Sequence, residues 1–280
     1  MTSPAGPELT NPRSERVKAV RALSGRSVRL RAGRFLVEGP QSVREVVREA
    51  PGRVRDVYVT PFGADRYAEI LHDAAAARLR VHVATDEVVA AMSPDAQGVL
   101  AVAETHDVGL ASVIASSPRL VAVLVRVRDP GNAGTVVRAA DAAGADAVVL
   151  TAESVDVHNP KVVRSTAGSL FHLPVTAGAP LAEVTAALRA AGLAVLAADG
   201  SGEHDLDDLL DAVGRPARAG VPDLTRPTAW VFGNEAWGLP EEDRALADAV
   251  VRVPIRGRAE SLNLATAATV CLYASSRAQR

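Results

Sequence analysis

Three short islands hold most of the side chains in this sequence whose types and spacing could do chemistry. They are Asn132-Ala-Gly134-Thr-Val-Val-Arg138, Phe232-Gly233-Asn234-Glu235-Ala-Trp237-Gly238-Leu239, and Pro254-Ile-Arg256-Gly-Arg258-Ala-Glu260-Ser261-Leu262-Asn263. Each follows an apolar, strand-like run and opens a turn. In a parallel α/β sheet the C-terminal strand ends are where ligands bind. Three such turns, each holding Gly with Asn, Glu, Arg or Ser, read as one composite site. A helix starting at Asn132 and Gly134 carries Arg138 in its first turns, aimed at whatever the strand ends hold. Gly233 lets the backbone approach a flat ligand closely, and Glu235 is placed to accept hydrogen bonds or to stabilise its loop. Ser261 opens a helix with Leu262 and Asn263 in its first turn, where free N–H groups seek acceptors. Each residue also has a plain structural reading. Asn132 and Ser261 suit helix N-caps, and Arg138 suits a surface ion pair; Trp237 could stack on a base or ring, but burial habits favour loop packing for it and core for Trp230. The clustering of the islands favours function for Arg138.

These turns require a sheet beneath them. From residue 120 the pattern gives a continuous apolar strand over 121–127, as expected of a strand covered on both faces. A helix over 135–143, a strand over 147–150 and a short helix from Lys161 follow. Then come a helix over 181–191, strands over 194–198 and 228–232, a helix over 241–247, a strand over 250–255 and a last helix over 261–276. Residues 214–227, rich in Arg, Pro and Gly, read as a surface insertion. Upstream, an alternation of short helices and strands makes a small α/β domain of its own. Pro12 opens a helix bearing Val17, Val20 and Leu23, and Ser42 with Glu45 reads as a capping box. The division is a loose tail over 1–12, an N-terminal domain over 13–105, a linker over 106–119 and a C-terminal domain over 120–280.

The 280 residues are 48% hydrophobic but only 3% aromatic, so Val, Ala and Leu must build the core. The single cysteine, Cys271, excludes a disulfide framework and any multi-cysteine zinc site. No signal-peptide pattern opens the chain and no apolar run reaches membrane-span length, so a cytoplasmic protein without a membrane partner is expected. Net charge is −2, yet Arg13–Arg34 holds eight basic residues and one acid, +7 over 22 residues. With Gly25 and Gly33 this looks like a basic loop for phosphate contact. The G-x-G-x-x-G, G-x-x-x-x-G-K-[ST] and G-x-S-x-G motifs are all missing, so the usual dinucleotide, nucleotide-phosphate and hydrolase signatures have no support.

The N-x-G-x-x-x-R, F-G-N-E-x-x-G-L and S-L-N islands resemble motifs one, two and three of the SpoU/TrmH-type RNA ribose 2′-O-methyltransferases of the SPOUT superfamily. The likeness covers about residues 120–276. The stretch Asn159-Pro-Lys161-Val-Val-Arg164-Ser-Thr-Ala-Gly168 is also similar to the family segment between motifs one and two. Phe35-Leu-Val-Glu38-Gly39 lies in a piece resembling the family's substrate-binding domain. The resemblance implies an α/β fold: a C-terminal parallel-sheet SPOUT domain with a trefoil knot, plus the small N-terminal α/β domain. It implies S-adenosylmethionine as methyl donor, held mainly by backbone at Gly233, Val253 and Leu262, with no metal. It places Asn132, Arg138, Glu235, Ser261 and Asn263 in the catalytic motifs and makes the chain a homodimer. Family proposals give the motif-one Arg the role of base; a guanidinium is effectively always protonated, so stabilising a developing oxyanion is the alternative. Candidate RNA contacts are Arg26, Arg29, Arg31, Arg34, Lys161, Arg164, Arg256 and Arg258. Structured RNA is the expected substrate, with ribosomal RNA favoured over tRNA. A base methyltransferase and a non-catalytic RNA- or ribosome-binding protein are the competing readings.

Overall fold

A computed structural model describes residues 8–106, 108–216 and 218–280; most of the expected tail over 1–12 lies outside them. In chain order the elements begin with α1 (Glu15–Ala22), α2 (Arg26–Ala32), β1 (Arg34–Glu38), α3 (Pro40–Glu49) and β2 (Val54–Val59). Next come α4 (Pro61–Arg66), α5 (Ala68–Ala76), β3 (Val81–Val83), α6 (Asp86–Met92), β4 (Val99–Glu104), α7 (Leu110–Ala115) and β5 (Leu120–Leu124). Then α8 (Pro130–Ala143), β6 (Ala147–Leu150), α9 (Pro160–Ser165), β7 (Val175–Ala177), α10 (Leu181–Ala190) and β8 (Ala194–Ala198) follow. The chain ends with β9 (His204–Asp205), α11 (Leu206–Asp211), β10 (Thr228–Phe232), α12 (Glu241–Arg244), β11 (Ala249–Arg252) and α13 (Leu264–Ala278).

Two compact units form. The first takes the chain through His106 together with Asp156–His172; the second takes the remainder. In the first unit the sheet order is β1-β4-β2-β3, antiparallel except for the β2–β3 pair. Side chains alternate across it. Leu36, Tyr58, Leu100 and Val102 face α1 and α6 through Val17, Val20, Val88 and Met92, while α3 packs on the strands and on α5. The stretch from Asp156, read from sequence as part of the C-terminal domain, clusters with this unit, and Arg29 is one of the residues that hold it. Arg29 is 3% exposed. Its Nε and Nη2 donate to Asp156 at 3.0 and 2.6 Å, and its Nη1 donates to the carbonyls of Leu23 and Ser24. Phe35 on β1 stacks with Phe171 and packs at a tilt against His158. Gly168, at φ +102°, passes so close to Glu45 that a Cβ would sit 2.3 Å from its Cγ.

The second unit is a seven-stranded parallel sheet, ordered β7-β6-β5-β10-β8-β11-β9. One face buries Val121, Val123, Val149, Val195 and Val231 against α7 and α10. The other carries α8 and α13, which pack on each other and on β5 and β10. Trp230 is fully buried, as expected, and its indole N–H donates to Ser275 Oγ on α13 at 2.8 Å. Cys271 on the same helix is buried, and burial pushes its thiol pKa well above the usual range.

Several local expectations shift. The supposed basic loop is the pair of helices α1 and α2. α3 starts at Pro40 with Gly39 as its cap, because Pro suits the first helical position; Ser42 is buried inside the helix and forms no capping box. Helices α4 and α5 are separated by a break at Tyr67, which is non-helical at φ −116°. β5 ends at Leu124 and β11 at Arg252, short of their apolar runs. The 106–119 stretch contains α7, and β7, β9 and α11 have no counterpart in the sequence reading. No helix among the described residues is long and apolar enough to cross a membrane.

Removing one partner of a buried ion pair strands the other charge. Asp156→Ala should therefore cost about 3 kcal/mol and lower the urea midpoint; an unchanged midpoint would remove this pair from the stability account.

Candidate functional site

The three islands meet at the C-terminal ends of β5, β10 and β11. The turn leading into the first holds Asp129, whose Oδ1 accepts the Asn132 N–H at 2.7 Å and caps α8, with Pro130 in the first turn. Asn132 is thus inside the helix rather than its cap, and its side-chain amide is left for longer-range bonds. The third island ends at Asn263, which caps α13 by accepting from the N–H groups of Ala265 and Thr266 at 2.9 and 3.4 Å. The helix starts at Leu264, so Ser261 and Leu262 lie in the loop before it and Ser261 is not the cap.

A polar chain joins the islands. Asn263 Nδ2 donates to Asn132 Oδ1 at 3.0 Å, and Asn132 Nδ2 donates to Glu235 Oε1 at 3.4 Å. The Glu235 carboxylate also accepts the backbone N–H groups of Arg128 and Asp129 at 3.4 and 3.2 Å. The bonds to Glu235 are long, at 3.2 to 3.4 Å. Beneath them, Asn234 Nδ2 donates to the carbonyl of Arg126 at 2.6 Å. Arg126 holds φ +49°, a left-handed conformation that costs a non-glycine residue energy and needs its surroundings to enforce it. Its guanidinium pairs with Asp243 and its N–H donates to Thr151 Oγ1.

Beside this chain lies a cavity of about 330 Å³, at the small end of ligand pockets. Gly233, Val253 and Leu262, which sequence analysis assigns to cofactor binding, all line it, as do Glu235 and Ser261. Gly233 is required by the backbone itself: a Cβ there would lie 2.3 Å from the carbonyl carbon of Gly238 and 2.6 Å from the Leu239 nitrogen. Asp199 and Glu260 add carboxylates to the wall, and no Lys or Arg lines it. Phe232, Ile255 and Leu264 supply apolar surface. The lining therefore suits a ligand with a flat apolar part and positive charge. No group of described residues has the composition to hold a metal ion.

Asn132 and Asn263 lie just outside the cavity wall, joined to it through Glu235. Arg138 is an exposed residue of α8, absent from the lining and without an ion-pair or hydrogen-bond partner among the described residues. Of the expected RNA contacts, Arg26, Arg31, Lys161 and Arg258 are exposed and Arg34 is half-buried. Arg29 is withdrawn from solvent by Asp156, so it cannot reach a phosphate. Arg164 is held by Glu38 and Asp95, and Arg256 reaches Asp207 at 2.5 Å. Sequence reasoning overlooked Asp129, Asn234, Asp199 and the strained Arg126. Asp129-Pro130 carried a readable signal, a capping residue followed by Pro at the first helical position. Trp237, expected to pack its loop, is 48% exposed.

Comparison with known proteins gives two family matches along the chain. Residues 119–273 match the SpoU rRNA methylase family model, and residues 14–101 match the MRM3-like substrate binding domain. The chain is 34% identical to a 23S rRNA (uridine(2479)-2'-O)-methyltransferase of Streptomyces viridochromogenes, over 98% of this chain and 93% of the relative. It is 30% identical to the 23S rRNA (guanosine(2553)-2'-O)-methyltransferase RlmP of Bacillus subtilis, over 95% and 98%. The crystal structure of an AdoMet-bound rRNA methyltransferase from Sinorhizobium meliloti superposes with a TM-score of 0.79 at 29% identity, covering 96% of this chain and 97% of that one.

The double role of Asn263 can be divided. Asn263→Asp keeps the capping oxygen but loses the donor to Asn132, whereas Asn263→Ala loses both. The alanine variant should be less stable by about 1 kcal/mol in urea unfolding and the aspartate variant nearly as stable as wild type. Equal losses would mean the cap contributes nothing.

Proposed function

The chain belongs to the SpoU rRNA methylase family, and from its site we propose that it is an S-adenosylmethionine-dependent methyltransferase acting on a ribose 2′-hydroxyl of 23S ribosomal RNA. The observation that carries this reading is the cavity at the strand ends, walled by three carboxylates and apolar side chains without a basic residue. A sulfonium and an ammonium are both cationic, and an adenine ring is flat and largely apolar, so the lining fits S-adenosylmethionine. When bound, that molecule supplies an electrophilic methyl group on a positively charged sulfur.

Everything else falls to the chain's own residues. The backbone at Gly233, Val253 and Leu262 holds the donor, and the wall formed by the 253–264 loop restrains it. Transfer to oxygen is an in-line displacement, so fixing donor and acceptor supplies much of the rate. The chain of Asn263, Asn132 and Glu235 keeps the rim in one arrangement and orients the ribose beside the cavity. Arg138 brings the positive charge of a guanidinium. It stabilises negative charge developing on the 2′-oxygen, while the proton departs to a phosphate or water. Its exposed position on α8 leaves it free to meet the RNA. A homodimer is part of the proposal, with the exposed Val270 and Tyr273 of α13 as its apolar face.

The relatives act on a uridine in one case and a guanosine in another, so the ribose chemistry travels with the family and the base does not. The first unit, matched by a substrate-binding model, takes the RNA, and its exposed Arg26, Arg31 and Lys161 contact phosphates. A cytoplasmic location is part of the proposal, and a ribosomal RNA substrate supports it.

Calorimetry should detect one S-adenosylmethionine bound per chain. Arg138→Ala should bind it with nearly unchanged affinity and transfer no methyl group to 23S rRNA. Retained turnover would remove Arg138 from the mechanism. Nucleoside mass spectrometry of rRNA from cells lacking the gene should show one missing 2′-O-methyl mark; a missing base methyl would overturn the ribose assignment.

A further inference from the structure

Trp237 stands between two residues of the cavity wall, Ala236 and Gly238, yet does not itself line the cavity. The short loop that carries it is closed by reciprocal backbone bonds between Asn234 and Gly238, at 3.0 and 2.9 Å. Gly238, at φ +66°, completes that turn. The loop is thus tied at its base while its largest side chain is left 48% exposed. A tryptophan in a tight loop ordinarily buries its ring; this one does not. Its only aromatic or cationic neighbour among the described residues is Arg128, whose guanidinium carbon lies 5.4 Å from the ring centroid. The backbone N–H of Arg128 is in turn one of the donors to Glu235. An exposed indole, steadied by an arginine and tied by two hydrogen-bonded turns to the site's polar chain, is a flat surface with a cation at its side.

We propose that Trp237, with Arg128, is a stacking platform for an unpaired base of the RNA, next to the nucleotide whose ribose is methylated. The inference rests on the methyl-transfer reading for the identity of the partner. Its physical basis is separate. Single-stranded or splayed bases are recognised by stacking on aromatic rings and guanidinium planes, with the arginine also near the phosphate. A base stacked on Trp237 would hold the adjoining sugar over the rim formed by Asn132 and Glu235. Trp237 is then a positioning residue: it fixes which nucleotide is presented and takes no part in bond making.

The two tryptophans make a direct test possible, because Trp230 is fully buried and Trp237 is not. The probe is 23S rRNA transcribed in vitro, added with and without S-adenosylmethionine. RNA should quench the wild-type tryptophan emission, and Trp237→Phe, which retains only Trp230, should show no quenching. Trp237→Ala should raise KM for this RNA about tenfold, the lower end of what stacking on one base contributes, with kcat and S-adenosylmethionine affinity unchanged. Trp237→Phe should restore most of that KM. Equal KM in Trp237→Ala and wild type would overturn the platform, as would quenching that persists in Trp237→Phe. Shielding of Trp237 from acrylamide before RNA is added would also overturn it, since a second copy of the chain would then cover the ring. Quenching needs no turnover: RNA-dependent quenching in a wild-type protein that transfers no methyl group would keep the platform and sink the methyl-transfer reading.

Discussion

The side chain of Glu235 is the tie on which the site depends. It leaves the turn after β10, reaches the turn after β5 and accepts from two successive backbone N–H groups there and from the Asn132 amide. Those N–H groups flank the start of α8, where orphan donors and the helix dipole favour a negative charge. A carboxylate is the one group that answers all of them at once. Asn132 then passes the constraint on to Asn263, so one carboxylate and two amides set the relative positions of three loops that are distant in sequence.

Sheet order explains why such a tie is needed. β5 and β10 are neighbours, but β8 lies between β10 and β11. The chain leaving β11 must cross back over those strand ends before Asn263 can reach Asn132 and open α13. A long, mostly exposed crossing of this kind has little core of its own to hold it. It is pinned at one end by its strand and at the other by α13, which is seated on the sheet through Trp230 and Ser275. The cavity lies between these fixed ends, and its acidic, arginine-free wall is a property of the crossing loop and the β10 turn together.

How much of this was legible from sequence varied with the range of the interaction. The islands were readable because each combines Gly with polar residues directly after an apolar strand, a local pattern. That they meet at one place followed from where strand ends lie in a parallel sheet. The start of α8 was readable at Asp129-Pro130; that of α13 was not, because Ser261 and Asn263 are both good caps, and the partner of Asn263, Asn132, lies 131 residues away, beyond any window along the chain. Arg29 misled for the same reason. Its basic neighbours suggested a phosphate patch, whereas its partner Asp156 lies 127 residues away. The short β7 and β9 have too few residues for any periodicity to register. Trp237 went the other way, exposed where burial statistics favoured packing, and departures of that kind mark functional positions.

The central claim is that the cavity bounded by Gly233, Val253 and Leu262 is where the methyl donor binds, directly beside the Asn132–Glu235–Asn263 chain. A crystal structure of the protein with S-adenosylhomocysteine tests it most directly. The account predicts the nucleoside against the backbone of those three residues, with its sulfur facing the side on which Glu235 and Asn132 meet. Ligand density elsewhere, or in the cavity with its sulfur turned away from that rim, would contradict it.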